Sequence, residues 1–110
     1  MSEQTISIEV IGEGEAVASA PSDDRRVVTI DNKDDGDTLR LRVPDRETVG
    51  AVIDTMYIKF RLTREADDRL TCQHRGADVY QYAALTLGEY VRAGHCPDLR
   101  WDFVGGTGGA

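Results

Sequence analysis

The sequence predicts an α+β domain in which one main helix packs across a mixed sheet of four or five strands. Strand-like segments precede and follow a single long amphipathic segment, and this order favours helix-on-sheet packing. The chain has 110 residues, about the length of one domain, so one core is expected to serve the whole fold.

The first two core strands are predicted to form a hairpin. Val27–Ile30 is β-branched throughout, which is typical of strands. Asp31–Asp37 is rich in aspartate and contains a glycine, which indicates a turn. In Leu39–Val43 apolar residues alternate with arginines, as in a half-buried strand.

The main helix is predicted to start near Asp45 or Thr48, since either side chain can accept from the first free N–H groups of a helix. One apolar stripe at helical spacing follows, and we expect it to face the core: Val49, Val52, Ile53, Met56, Tyr57 and Phe60. Gly50 is expected to allow close packing of the helix on the sheet.

The second half of the chain predicts shorter elements. Arg69–Gln73 and Val79–Ala84 are expected to be short strands, and Leu85–Tyr90 a short helix or turn. Leu99–Phe103 alternates apolar and charged residues, which predicts a last strand with an apolar inner face.

The two ends differ in composition from this domain. Residues 1–24 are predicted to be an acidic, mostly flexible tail, residues 25–104 the domain, and residues 105–110 a flexible glycine-rich tail. Thr5–Val10 alternates polar and apolar residues, so it is either a strand that docks to a partner or an extra edge strand of the domain. The edge strand is the favoured alternative.

The order of elements resembles the β-grasp fold, and the residues resemble the ubiquitin-like family, in particular a modifier precursor of prokaryotic type. The resemblance covers Arg26–Gly109. It is carried by a helix start, a third strand with its turn, a stretch before the last strand and a diglycine ending: Pro44–Val49, Arg69–Cys72 with Arg75–Gly76, Thr86–Tyr90, and the C-terminal glycines.

The resemblance implies that a protease processes the chain at a diglycine, and that the new carboxylate is adenylated and joined to target amines. Glycines suit this task because they carry no Cβ and fit a narrow channel. The candidate residues are Gly105, Gly106, Gly108 and Gly109. Processing removes either Ala110 alone or Thr107–Ala110. Reach favours an end at Gly109, about 20 Å beyond Phe103 when extended, against about 10 Å for Gly106.

The implied partners are an activating enzyme with its conjugation machinery, a processing protease of which the JAB type is one candidate, and target proteins. Thr71 and Asp102 are polar where ubiquitin has an apolar patch, so we expect dedicated receptors. Lys33 and Lys59 are the candidate acceptor lysines. Two alternatives stay open: a sulfur carrier that forms a C-terminal thiocarboxylate, and a ubiquitin-like interaction module that is not conjugated.

The charge and the N-terminus narrow the setting. Lys and Arg number 13 against 20 Asp and Glu, and the net charge of -7 argues against binding of nucleic acid or an anionic membrane. The first residues lack the pattern of a secretion signal, so a cytoplasmic location is expected. We also expect the protein to be a monomer. In that compartment both cysteines are expected to be thiols.

We expect no catalysis, cofactor or metal in this chain itself. Cys72, His74, His95 and Cys96 match no common zinc spacing. The acidic pairs Asp34–Asp35 and Asp67–Asp68 fall in predicted loops and are interpreted as solvated surface.

Overall fold

A computed structural model of the chain describes residues 8–11 and 25–106. The elements occur in the predicted order, with two helices and a short 3-10 helix among the strands: β1 (Glu9–Val10), β2 (Arg25–Asn32), β3 (Thr38–Pro44), α1 (Val49–Phe60), β4 (Arg69–Cys72), the 3-10 helix (Tyr80–Tyr82), α2 (Leu87–Arg92) and β5 (Arg100–Val104). The hairpin, the main helix, the strand at β4 and the last strand are therefore confirmed.

The described strands form one mixed five-stranded sheet in the order β1-β3-β2-β5-β4. β5 runs parallel to β2, with Ile30 opposite Trp101, and antiparallel to β4, with Leu70 opposite Phe103. The last strand in sequence thus lies inside the sheet between two neighbours. The α+β class with one main helix and a mixed sheet is confirmed.

β1 extends the sheet at the outer edge of β3. Glu9 lies opposite Arg42, whose guanidinium donates to the Glu9 carboxylate at 3.1 Å. The Ile11 amide donates to the Arg40 carbonyl at 2.9 Å, and the Ile11 side chain is buried. Within the predicted segment Thr5–Val10, the described part is therefore an edge strand of the domain, and residues 5–7 lie outside the described residues.

α1 begins after Thr48, whose hydroxyl accepts from the Ala51 amide at 3.0 Å. The alternative cap, Asp45, binds the Arg26 guanidinium instead at 2.7 Å. The predicted stripe packs against the sheet and joins the core, with Phe60 at its margin. The buried side chains of α1 are Val49, Val52, Ile53, Met56 and Tyr57.

The strand predicted at Val79–Ala84 is wrong. After Val79 the chain turns into the 3-10 helix Tyr80–Tyr82, because the Asp78 carboxylate accepts from the Tyr80 amide and diverts the backbone from the sheet. This turn brings the Ala83 carbonyl to the Gly50 amide at 2.9 Å. A Cβ on Gly50 would lie 3.1 Å from that oxygen, so Gly50 allows close packing against this segment and not against the sheet.

The predicted short helix is confirmed as α2. Its start is a capping box, in which Thr86 accepts from the Glu89 amide at 3.1 Å and the Glu89 carboxylate accepts from the Thr86 amide at 2.9 Å. Neither α1 nor α2 has the length and apolar character that a bilayer crossing requires. The turn after α2 passes through Gly94 and delivers Cys96 to the core.

The expectation that both cysteines are thiols is wrong, because Cys72 and Cys96 form a disulfide. Their Cα atoms lie 5.8 Å apart, and both side chains are fully buried. The bond joins the end of β4 to the loop before β5. The contact depends on how these distant segments pack, which the spacing of two cysteines does not reveal.

Removing the disulfide is expected to lower the free energy of unfolding by about 3 to 4 kcal/mol, because the unfolded chain then regains the freedom of a loop spanning 24 residues. Urea denaturation of the Cys72→Ala, Cys96→Ala double variant measures this. Reduction of the unaltered protein is the matched control and should give a similar loss. Two reactive thiols in the denatured, unreduced protein would contradict the assignment.

Candidate functional site

The glycine segment follows directly after the interior strand β5, which lies between β2 and β4. Trp101 and Phe103 are buried on the inner face of this strand. The Trp101 and Tyr90 rings pack edge-on with their centroids 6.0 Å apart. The Phe103 and Tyr57 rings pack in the same way with their centroids 5.8 Å apart. The core therefore fixes the point at which the backbone reaches Gly105.

Two carboxylates hold the first diglycine on the surface. The Gly105 amide donates to Asp34 Oδ2 at 2.8 Å, and the Gly106 amide donates to Asp68 Oδ1 at 2.6 Å. We call this pair, Asp34 and Asp68 with the two amides, the carboxylate clamp. Hydrogen bonds that an ionised acceptor receives are stronger than those between neutral groups.

Strand register places the clamp. Asn32, the last residue of β2, lies opposite Phe103 in the parallel pair, so the β2–β3 turn begins beside the end of β5. Arg69, the first residue of β4, lies opposite Val104 in the antiparallel pair, so Asp68 arrives on the other side. One carboxylate from each flank therefore reaches the residues after Val104.

Asp34 is held in place by the turn itself. The side chain of Asn32, almost fully buried, accepts from the Asp34 amide at 3.0 Å. The Lys33 amide donates to the Phe103 carbonyl at 2.9 Å and so joins the turn to β5. The Asp34 carboxylate is thereby positioned next to the glycine backbone.

Asp68 is held by a chain of hydroxyls. Its Oδ2 accepts from the Tyr57 hydroxyl at 2.7 Å and from the Glu65 amide at 2.9 Å. An ionised carboxylate only accepts, so Tyr57 uses its proton on Asp68. The hydroxyl of Tyr80, 2.6 Å from that of Tyr57, must then donate to it. This relay ties the clamp to the core helix α1.

These contacts set the charge of the group. Burial alone would raise the pKa of Asp68, but hydrogen bonds from Glu65, Tyr57 and Gly106, with the nearby Arg64, lower it on balance. The Arg64 guanidinium lies 5.2 Å from the centres of both tyrosine rings. Asp68 is therefore ionised at neutral pH.

Burial is the main reason that both tyrosines stay protonated. Burial raises the pKa of Tyr57, and its hydrogen bonds with Tyr80 and Asp68 raise it further. Burial also raises the pKa of Tyr80. The relay therefore consists of two neutral hydroxyls that end on one carboxylate.

Both clamped positions leave little room for a side chain. A Cβ on Gly105 would lie 2.8 Å from Asp34 Oδ2. A Cβ on Gly106 would overlap the Asp67 carboxylate and lie 3.2 Å from the Asp67 carbonyl carbon. The absence of side chains at 105 and 106 thus has a structural reason inside the domain.

The structure locates some of the predicted residues. Gly105 and Gly106 meet at the clamp, whereas Gly108 and Gly109 lie outside the described residues. Both candidate acceptors are exposed, Lys33 in the β2–β3 turn and Lys59 in the last turn of α1.

Sequence reasoning missed both carboxylates, because it interpreted the acidic pairs at 34–35 and 67–68 as solvated surface. That interpretation is wrong for Asp68, which is half-buried, and incomplete for Asp34, which is exposed but bound to Gly105. Their position just outside strands that flank the last strand was the signal that could have found them.

The outer face of the sheet is polar around Thr71 and Asp102, which lie opposite each other in β4 and β5. The Gln73 side chain donates to Asp102 at 2.8 Å and to Asp31 at 3.0 Å. The Arg100 guanidinium donates back to Gln73 at 3.4 Å. This face therefore presents hydrogen-bonding groups around Thr71 and Asp102.

The four residues weighed as a zinc set are not brought together. Cys72 and Cys96 use their sulfur atoms in the disulfide, His74 is exposed, and the His95 ring stacks on Tyr82 at 3.9 Å. In residues 8–11 and 25–106 the only group at ligand spacing is Cys72, Cys96 and Asp98. Its sulfurs are not thiolates, which a metal requires.

No protein-family model matches this chain, and a search of curated proteins finds no match.

The Tyr57→Phe variant is expected to raise the pKa of Asp68 toward its ordinary value of 3.8, because the carboxylate loses one donor. In the unaltered protein the depressed pKa contributes stability above pH 3.8, which is lost as pH falls through the folded-state pKa. The free energy of unfolding of the Tyr57→Phe variant should therefore fall less on acidification than that of the unaltered protein.

Titration of the Asp68 carboxyl carbon by NMR measures this shift. Tyr82→Phe is the matched control, since Tyr82 stacks on His95 and is expected to leave the titration of Asp68 unchanged. An equal Asp68 titration curve in the Tyr57→Phe variant and the unaltered protein would show that the relay does not act on the clamp.

Proposed function

We propose that this chain is a ubiquitin-like protein modifier with a β-grasp fold, made as a precursor, processed at a C-terminal diglycine and conjugated to target amines. The hairpin β2–β3, the helix α1 and a last strand lying parallel to β2 support the fold assignment. This arrangement resembles that of the ubiquitin-like family, as the sequence does.

The observation that carries the proposal is the position of the glycine segment directly after β5, an interior strand of the sheet. The core fixes Phe103, and the clamp fixes the next two glycines. The segment therefore starts from a rigid point at the surface, and the residues that follow in the sequence are small. A partner enzyme can bind such a segment as extended backbone without meeting bulky side chains.

The chemistry needs only a carboxylate from this chain. An oxygen of the processed carboxylate attacks the α-phosphorus of ATP, and pyrophosphate leaves. A cysteine thiolate of the activating enzyme then displaces AMP and forms a thioester. A target amine displaces that thiol, loses its proton and becomes an amide. The partner enzymes supply the catalysis, so the chain itself is not an enzyme.

We propose that this reaction takes place in the cytoplasm and that the protein acts as a monomer. Both disulfide sulfurs belong to fully buried residues, which restricts the access of reducing thiols. The polar outer face of the sheet favours receptors specific to this modifier. Its acidic charge, net -7, suits basic partner surfaces.

A conjugation assay in extract of the native cells tests the proposal. N-terminally tagged full-length chain, a chain that ends at Gly109 and a matched control that ends at Gly108 are each incubated with ATP. We expect denaturant-resistant adducts from the first two chains only, and mass spectrometry should find the C-terminal glycine on target amines.

Each alternative gives a different mass. Exchange of one oxygen for sulfur at the C-terminus would identify a sulfur carrier. A chain recovered unchanged from extract that can process and activate other diglycine proteins would contradict conjugation and leave an interaction module.

A further inference from the structure

We propose that the carboxylate clamp determines which diglycine is processed. Asp34 and Asp68 bind the first diglycine and so protect the peptide bond after Gly106 from the protease, and hydrolysis occurs after Gly109. This inference rests on the proposed function and names residues that select the site of its first step. Hydrolysis adds one water across the Gly109–Ala110 peptide bond, which leaves a carboxylate on Gly109 and a free amine on Ala110.

Cleavage after Gly106 conflicts with the way this residue is held. A protease binds the residues before the scissile bond as extended backbone and hydrogen bonds to their N–H and C=O groups. The amides of Gly105 and Gly106 already donate to carboxylates, at 2.8 and 2.6 Å. Both bonds must break before this stretch can enter a channel, and in each of them the amide donates to a carboxylate oxygen.

Crowding adds a steric obstacle to the same bond. The backbone of Gly106 lies so close to Asp67 that a Cβ would overlap its carboxylate. An enzyme that cleaves after Gly106 must therefore approach this glycine beside the Asp67 loop. The first diglycine is thus shaped to fit the domain.

Cleavage after Gly109 does not require release of the clamp. Three residues separate Gly106 from Gly109, a reach of about 10 Å when extended. That length lets an enzyme hold residues 107–109 while Gly105 and Gly106 stay bound. The two diglycines then have different roles, the first to anchor and the second to react.

The test reads the mature C-terminus by intact mass after expression of N-terminally tagged full-length chain in the native cells. The unaltered chain should end at Gly109, with no product ending at Gly106. In the Asp34→Ala, Asp68→Ala variant a product ending at Gly106 should appear. Asp37→Ala is the matched control for the change at Asp34, since it removes one carboxylate from the same turn, and it should end at Gly109 only.

A second measurement shows whether the clamp was opened in a folded domain. Amide hydrogen exchange at Gly105 and Gly106 should be at least about tenfold faster in the double variant than in the unaltered chain, while core amides stay protected. If loss of Asp68 unfolds the domain, the single Asp34→Ala variant replaces it, because Asp34 is exposed in a turn. Its Gly105 exchange and its share of Gly106-ended product should both rise.

The outcomes separate this inference from the function beneath it. An unaltered chain that is processed and conjugated but ends at Gly106 overturns the clamp and leaves the modifier intact. A double variant with fast exchange that still ends only at Gly109 also overturns the clamp alone. An unaltered chain recovered with Ala110 in cells that process other diglycine precursors overturns both.

Discussion

The last strand, β5, lies inside the sheet, and its position determines where the neighbouring turns and the glycine segment meet. Burial of Trp101 and Phe103 holds this strand between β2 and β4. Because β5 runs parallel to β2 and antiparallel to β4, its C-terminal end lies beside the end of β2 and the start of β4. The β2–β3 turn and the loop before β4 therefore meet at the same end of β5, and each contributes a carboxylate.

The meeting of these two loops explains how aspartate side chains bind the backbone of the glycine segment. Amide N–H groups after a strand end have no ladder partner and need another acceptor. Asp34 and Asp68 each supply one carboxylate acceptor. The Tyr57 hydroxyl, on α1, donates a hydrogen bond to Asp68. The domain core, the tyrosine relay and the glycine segment thus form one connected structure.

Local patterns were sufficient to predict the elements whose residues interact with near neighbours. The β-branched run, the alternating arginines and the helical stripe found β2, β3 and α1, because each pattern records which face is buried. They failed at Val79–Ala84, where the Asp78 side chain and the contact with Gly50 outweigh strand propensity.

The sequence also did not reveal the Cys72–Cys96 bond or the roles of Asp34 and Asp68. Each depends on the register between segments far apart in the chain: 24 residues separate the cysteines, and 71 separate Asp34 from Gly105. Composition and spacing do not encode such pairings. The sheet order, once known, places all three.

The clamp is tested most directly by the scalar coupling across the hydrogen bond between the Gly106 amide nitrogen and the Asp68 carboxyl carbon, measured by NMR on the full-length chain. We expect a detectable coupling at neutral pH, because the donor lies 2.6 Å from the carboxylate. Absence of the coupling, with a Gly106 amide shift typical of an unstructured peptide, would contradict it.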